Sequence, residues 1–345
     1  MRVLFIGGTG NLSGDCTLLA LRKGMEVFHL NRGTRPGLTP QGVTSIHADI
    51  RDEESSARAL DGLRFDAVVD FIAFEPRQVE ADLRLFRDRT DQYVFISSAS
   101  AYQKPPLRHL IDESTPLSNP YWQYSRDKIA CERVLVEGGS RMGFGWTIVR
   151  PSHTYSSTWI PSAFGSSDFT VARRMLDGKE IVVQGDGQAL WTLTHARDFA
   201  VGLVGLLGNP GALGEAVQVM GDEALTWDEI HYAIGEALGM EPHIVHVPSE
   251  FIAKVDPDLG QHFLGDKTWT SLFDCSKLRR LVPDFRVSVP FREGIRESVG
   301  YYLADPGRQQ VKPDTDAAIE RILAAWHRAV GQGLPAVDSD ASPAL

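Results

Sequence analysis

The sequence predicts an α/β protein: a doubly wound parallel sheet with a smaller C-terminal α/β part that would hold substrate. Three observations carry this expectation. The chain opens on an apolar run, Val3-Leu4-Phe5-Ile6, followed by a glycine-rich turn, Gly7-Gly8-Thr9-Gly10, and a helical pattern. Strand-length apolar runs then alternate with amphipathic stretches to about residue 150, the rhythm of parallel strands joined by crossover helices. With 345 residues and 43% hydrophobic side chains, the chain can bury the core that such a sheet needs.

Val3–Ile6 reads as a strand buried on both faces. Gly7 and Gly10 let the backbone turn tightly and approach a pyrophosphate, and the helix N-terminus behind them offers free N–H groups to the anion. The spacing is G-x-x-G-x-x-S-G, with Ser13 in the third glycine position, small enough for close helix–strand packing. Cys16, Leu18, Leu19 and Leu21 suit a helix over Asp15–Lys23. Met25–Leu30 is the second strand and ends at Asn31-Arg32-Gly33, where a dinucleotide fold meets the adenosine ribose. No acid stands there to take a 2′-hydroxyl. Arg32 suits a 2′-phosphate, so NADP is expected in preference to NAD.

Val43–His47 is the third strand, with a helix at Glu53–Asp61. Asp66–Phe71 is the fourth, closed by the turn Ile72-Ala73-Phe74, and Gln78–Arg87 is an amphipathic helix. Strand five, Gln92–Ser97, places Ser97, Ser98 and Ser100 at a carboxyl end, where ligands of such sheets bind. A helix over Tyr121–Glu137 and a strand over Trp146–Val149 follow, closed by Arg150-Pro151. Ser152–Phe164 reads as an irregular, substrate-facing segment containing His153 and Trp159. After a helix at Phe169–Leu176 and a strand at Ile181–Gln184, a helix over 198–207 and a strand at Ala216–Met220 return to the main sheet. Trp227–Leu238, Ile244–Val247 and Leu272–Leu281 build the smaller part. Asp314–Val330 is an amphipathic helix that packs on the body or on a second subunit, and Pro335–Leu345 reads as disordered. The expected division is thus 1–155 with 190–220 for the dinucleotide, 156–189 with 221–310 for substrate, a C-terminal helix within 311–334, and a tail over 335–345.

The formal charge of −10 and the lack of a Lys/Arg block argue against nucleic acid or an anionic membrane as partner. Cys16, Cys131 and Cys275 are odd in number and widely spaced, which suits free thiols in a reducing compartment. No signal peptide and no apolar run of about 20 residues is seen, so a soluble, cytoplasmic protein is expected. His109, His195, His231, His243, His246 and His262 show no metal-ligand spacing, and no metal is expected.

Tyr124 and Lys128 stand at i and i+4 of a helix, on one face. A lysine ammonium near a phenol stabilises phenolate and draws its pKa from about 10 toward the working range. Such a tyrosine can exchange a proton with a hydroxyl or carbonyl while hydride moves to or from a nicotinamide.

The ordered motifs Gly7–Gly10, Ala48-Asp49-Ile50-Arg51-Asp52, Phe95–Tyr102, Tyr124/Lys128, Arg150-Pro151 with Tyr155, Gly185-Asp186-Gly187 and His195-Ala196-Arg197-Asp198 resemble an extended short-chain dehydrogenase/reductase of the NAD(P)-dependent epimerase/dehydratase group. The resemblance runs from residue 3 to about 300 and implies a Rossmann sheet. It implies Tyr124 as acid/base, Lys128 on the nicotinamide ribose, and Ser98 on the reacting oxygen, with Ser97 and Ser100 as near-equivalents. Gly7, Thr9, Gly10, Asn11, Leu12, Asn31 and Arg32 would hold the phosphates and ribose. Asp49 and Ile50 would meet the adenine, Phe71, Ile72 and Ala73 would line the cofactor, and Pro151, Ser152 and His153 would flank the nicotinamide amide. Two departures bear on substrate. Family members that dehydrate sugars follow the catalytic Ser/Thr with Asp-Glu; Ala99 and Ser100 follow Ser98 here. Nucleotide-sugar enzymes place a diphosphate-gripping arginine four residues before the position of His195, and this chain has Trp191, which could stack on a ring instead.

The resulting expectation is an NADP-preferring oxidoreductase that interconverts hydroxyl and carbonyl on a small metabolite, with Ser100, His153, Trp159 and Trp191 facing substrate. The alternatives are an NAD-dependent epimerase of a sugar or nucleotide-sugar and a non-catalytic RNA-binding relative. A homodimer is expected from the resemblance alone.

Overall fold

A computed structural model of the chain describes residues 1–34, 36–142, 144–165 and 168–331. The first half forms β1 (Arg2–Ile6), α1 (Asn11–Arg22), β2 (Glu26–Asn31), β3 (Thr44–His47), α2 (Glu53–Ala59), β4 (Phe65–Asp70), α3 (Pro76–Phe86), β5 (Thr90–Ile96), the short β6 (Leu110–Ile111), α4 (Gln123–Met142) and β7 (Gly145–Pro151). Then come β8 (His153–Tyr155), α5 (Thr170–Leu176), β9 (Glu180–Gln184), β10 (Leu190–His195), α6 (Ala196–Leu206), β11 (Glu215–Val219), β12 (Ala224–Thr226), α7 (Trp227–Leu238), β13 (His243–Val247), α8 (Ser249–Val255), α9 (Pro257–His262), β14 (Leu272–Phe273), α10 (Ser276–Leu281), α11 (Phe291–Leu303) and α12 (Pro313–Gly331).

Seven strands make one sheet in the order β11-β7-β5-β4-β1-β2-β3, and every pairing is parallel. This is the doubly wound sheet that the apolar runs predict. Val3, Leu4, Phe5 and Ile6 are fully buried because helices cover both faces. α1 and α6 pack together, as do α3 and α4. Cys16, Ala20, Phe199 and Leu203 seal one face of the sheet, while Val79, Leu83, Cys131 and Leu135 seal the other.

The second half adds a smaller α/β layer with its own core, in which Trp191, Trp227, Phe263 and Phe291 are central. It contains the three-stranded sheet β12-β10-β8 and the parallel pair β13-β9.

Several elements differ from the expectations. α1 starts at Asn11, four residues before the expected Asp15, so the glycine turn runs straight into the helix. β10, placed in a segment expected to rejoin the main sheet, pairs instead with β8 and β12; α6 and β11 do return. His153–Tyr155, within the segment expected to be irregular, is strand β8. Leu272–Leu281, expected to build the smaller part, forms β14 and α10, and Cys275 and Leu278 bury in the core of the large sheet. α11 has no counterpart in the sequence reading, because Gly294 and Gly300 weaken its helical signal. α12 packs on this chain, burying Ile319, Ile322 and Leu323 against α5, α8 and β9. The tail over 335–345 lies outside the described residues.

Leu278→Ala, at a fully buried position, lowers unfolding stability by about 2–5 kcal/mol in urea titration. Leu303→Ala, at 45% exposure, stays within about 0.5 kcal/mol.

Candidate active site

Three elements converge on one cavity of about 440 Å³ at the carboxyl edge of the sheet. The glycine turn after β1 forms one wall, the serines after β5 a second, and the first two turns of α4 a third. Tyr124, Lys128 and Glu132 fall on a single face of α4 because their spacing is four. That face is pressed on the end of β5. Lys128 Nζ donates to the Ala73 carbonyl at 2.7 Å and to the Ile96 carbonyl at 2.8 Å. It also lies 4.6 Å from the Phe74 ring centroid and 5.8 Å from that of Tyr124. One turn on, Glu132 holds Arg150 through two contacts of 3.0 and 2.7 Å and accepts from the Ser97 hydroxyl.

Ser98 hydrogen-bonds the Tyr124 phenol and lies 2.9 Å, Oγ to Oγ, from Ser100, which Ser125 reaches in turn at 2.9 Å. Ser98 is therefore the serine in contact with the tyrosine. Ser97 turns to Glu132, and Ser100 backs Ser98. Burial pushes the Tyr124 phenol up to about 12, and the Ser98 hydroxyl only partly offsets it. This corrects the expectation that Lys128 draws the phenol down: its ammonium is anchored on two carbonyls instead. Burial in turn brings Lys128 down to about 8.

The glycine turn has the form of a phosphate cradle. Gly7 adopts φ +79°, and a Cβ there would lie 2.6 Å from Ile72 Cγ2, so only glycine fits. Ser13 earns its place by bonding as well as size: its hydroxyl donates to the Gly7 carbonyl and accepts from Gly10 N–H, both at 2.8 Å. Asn11 and Leu12 open α1 at the cavity wall, where first-turn N–H groups lack helical partners. Both polar atoms of the Asn11 side chain are buried with no protein partner. An unsatisfied amide beside a helix N-terminus fits a phosphorylated cofactor.

A neighbouring cavity of about 640 Å³ continues past Thr9 to Asn31, Arg32, His47, Asp49, Ile50 and Arg51. Ile72 lines both cavities, and Phe71 lines the first. Ala73 does not line them as expected: it is fully buried, its carbonyl serves Lys128, and Phe74 takes its place at both. Arg51, which the sequence reading passed over as a cavity residue, donates to the Ile72 carbonyl and links the two walls.

Pro151, Ser152, His153, Trp159 and Trp191 all line the first cavity. Trp191 does not present a free face. Lys267 Nζ sits 4.2 Å from its centroid, Trp227 packs at 4.9 Å, and its indole N–H donates to the Trp269 carbonyl. Trp122, His262, Asp266 and Lys267 also line the cavity and were missed. Asp266 and Lys267 belong to a single π-helical turn, Phe263–Lys267, which has no periodic signature; an Asp-Lys pair inside an aromatic-rich run was the available signal. Burial lowers the pKa of His153 and brings that of His262 to about 3, with the Lys267 charge adding to both. Among the described residues no group of three or more His, Cys, Asp or Glu could hold a metal, and no helix is long and apolar enough to cross a membrane.

Residues 3–219 match the NAD dependent epimerase/dehydratase family, and the chain belongs to it. The chain is 27% identical over 287 residues to the 2'-dehydrokanamycin reductase of Streptomyces kanamyceticus, covering 83% of this chain and 80% of that protein. It is 26% identical over 341 residues to the chloroplast stem-loop binding protein of 41 kDa b of Arabidopsis thaliana, covering 93% and 84%. In fold it is similar to the UDP-glucose 4-epimerase of Thermus thermophilus, solved with NAD, at TM-score 0.70 and 24% identity over 88% of this chain and 99% of that one.

Glu132 and Arg150 are a buried ion pair, with side chains 4% and 6% exposed. Glu132→Ala leaves the guanidinium uncompensated and destabilises the protein by about 3–5 kcal/mol in denaturant titration.

Proposed function

We propose that this member of the epimerase/dehydratase family is an NADP-preferring reductase that converts a carbonyl on a small metabolite to a hydroxyl. The observation that carries the reading is the convergence of Ser98, Tyr124 and Lys128 on the same cavity as the glycine turn. Nicotinamide, when bound, supplies the hydride. Ser98 holds the reacting oxygen, and Tyr124 donates the phenolic proton to that oxygen as charge develops on it. Lys128 binds ribose hydroxyls and holds positive charge beside the tyrosine. A phenol raised to about 12 keeps its proton at neutral pH, which suits donation to a carbonyl more than abstraction from an alcohol. Similarity to a reductase over 83% of the chain supports the same direction.

Arg32 and Arg51 line the adenosine side with Asp49 as the acid among them, which supports a 2′-phosphate and hence NADP. An epimerase would use the same residues and retain oxidised cofactor through purification. Stem-loop binding rests on the Arabidopsis relative, and the charge of −10 weighs against it. A homodimer through the adjacent α3 and α4 and a cytoplasmic location complete the proposal; the latter draws support from Cys16, Cys131 and Cys275, all buried free thiols.

Fluorescence titration is expected to give tighter binding of NADPH than of NADH, and Arg32→Glu to reverse the order. Tighter NADH binding by the native protein would remove the Arg32 argument. Tyr124→Phe binds NADPH as the native protein does and lowers NADPH-dependent carbonyl reduction by about 10²–10⁴-fold.

NADPH affinity weakens as pH rises through about 8, where Lys128 loses its proton. The folded pKa is depressed, so the ammonium is present below that pH and absent above it. Lys128→Arg, charged throughout, removes the step; a step that persists in that variant assigns it to another group.

A further inference from the structure

On the footing of the carbonyl-reducing reading, we propose that the substrate is a polyhydroxylated ring, a sugar or cyclitol, that carries no nucleoside diphosphate. Lys267 decides against the diphosphate. Its ammonium lies 2.8 Å from Asp266 Oδ2, 3.3 Å from His153 Nδ1 and 4.2 Å from the Trp191 ring centroid, so its charge and its N–H directions are used within the protein. Lys128 is committed to the Ala73 and Ile96 carbonyls on the cofactor side. No arginine is among the described residues that line this cavity, and Lys104, buried nearby, does not line it. His153 and His262 are neutral. A diphosphate would therefore lose its hydration against a cluster whose charges already cancel, with no cation free to meet it.

What the cavity does offer is an acceptor. Asp266 Oδ2 is taken by Lys267, and among the described residues the carboxylate has no other hydrogen bond. Asp266 lines the same cavity as Tyr124, and its charge is felt at the phenol. A carboxylate there calls for an O–H or N–H donor on the ligand. Trp122 and Trp159, on the same cavity, supply broad apolar surface for the C–H face of a ring. A ring hydroxyl on Asp266, a ring face on tryptophan and the reacting carbon at Tyr124 form one consistent pose. The residue that the nucleotide-sugar pattern would use to grip phosphate, Trp191, serves here as the seat of Lys267.

Calorimetric titration of the NADPH-bound protein with unphosphorylated glycosides and cyclitols, and with UDP conjugates of the same sugars, tests this. The expected result is that the UDP group adds no affinity. Asp266→Asn then weakens the best glycoside at least tenfold while leaving NADPH affinity unchanged, and Trp159→Ala, outside the ion pair, gives the same selective loss. UDP conjugates that bind tenfold tighter than the free glycosides overturn the proposal. So does Asp266→Asn with native glycoside affinity, or a protein that binds NADPH but none of the glycosides and cyclitols. Failure to bind NADPH at all sinks the reductase reading itself, which keeps the two failures apart.

Discussion

The buried ammonium of Lys128 is the constraint on which this active-site region depends. It is 1% exposed, and taking such a charge out of water costs several kcal/mol unless hydrogen bonds and polarisable groups replace the solvent. Two carbonyls and the faces of Phe74 and Phe95, 4.6 and 4.8 Å away, do so. The carbonyls come from different elements, Ala73 after β4 and Ile96 at the end of β5. Satisfying the lysine therefore fixes α4 against both strand ends. Tyr124, one turn earlier on the helix, is placed as a consequence, and its hydroxyl comes to Ser98.

Charges of alternating sign extend this arrangement in both directions. Below the turn after β4, the Asp70 carboxylate accepts from the N–H groups of Ile72 and Ala73 at 2.6 and 2.9 Å. Tyr93 donates to Asp82 at 2.7 Å, and burial, with the Asp70 charge beside it, raises the Asp82 pKa well above the usual carboxylate range. Asp70 and Glu132 both act on the Lys128 ammonium from the side of the sheet and of α4. One turn along α4, Glu132 neutralises Arg150 and takes the Ser97 hydroxyl at the cavity wall. The pattern explains why three nearby serines have different environments although they stand at adjacent positions of one loop.

The large sheet was legible because parallel strands covered on both faces are written as unbroken apolar runs, and Val3–Ile6 and Val68–Val69 are such runs. Tyr124, Lys128 and the glycine turn were legible because their chemistry needs fixed local spacing. The far side of the cavity was legible only in part: His153, Trp159 and Trp191 were identified, but Trp122, His262, Asp266 and Lys267 join them only through the tertiary fold. The π-helical turn that carries Asp266 and Lys267 is too short for a periodic signal. Trp191 was identified, but a sequence cannot tell a face offered to ligand from a face already taken by a lysine. The short strands β8 and β12 likewise gain their identity only by pairing with β10.

Trp191 also bears on the proposed choice of substrate. An arginine at that position would bring a free, planar cation that matches phosphate in two directions. An indole brings none, yet its π face attracts a cation already present in the chain, and Lys267 settles there at 4.2 Å. Once placed, that lysine binds Asp266 and, by its charge, helps to keep His153 and His262 neutral. The result is a charge-balanced cluster, which on the proposed reading leaves a carboxylate oxygen for the ligand. Ser98, Tyr124 and Lys128 are held by β4, β5 and α4, and the Asp266 charge still reaches the Tyr124 phenol across the shared cavity. On the proposed reading, substrate choice and proton transfer draw on different elements that meet around one cavity.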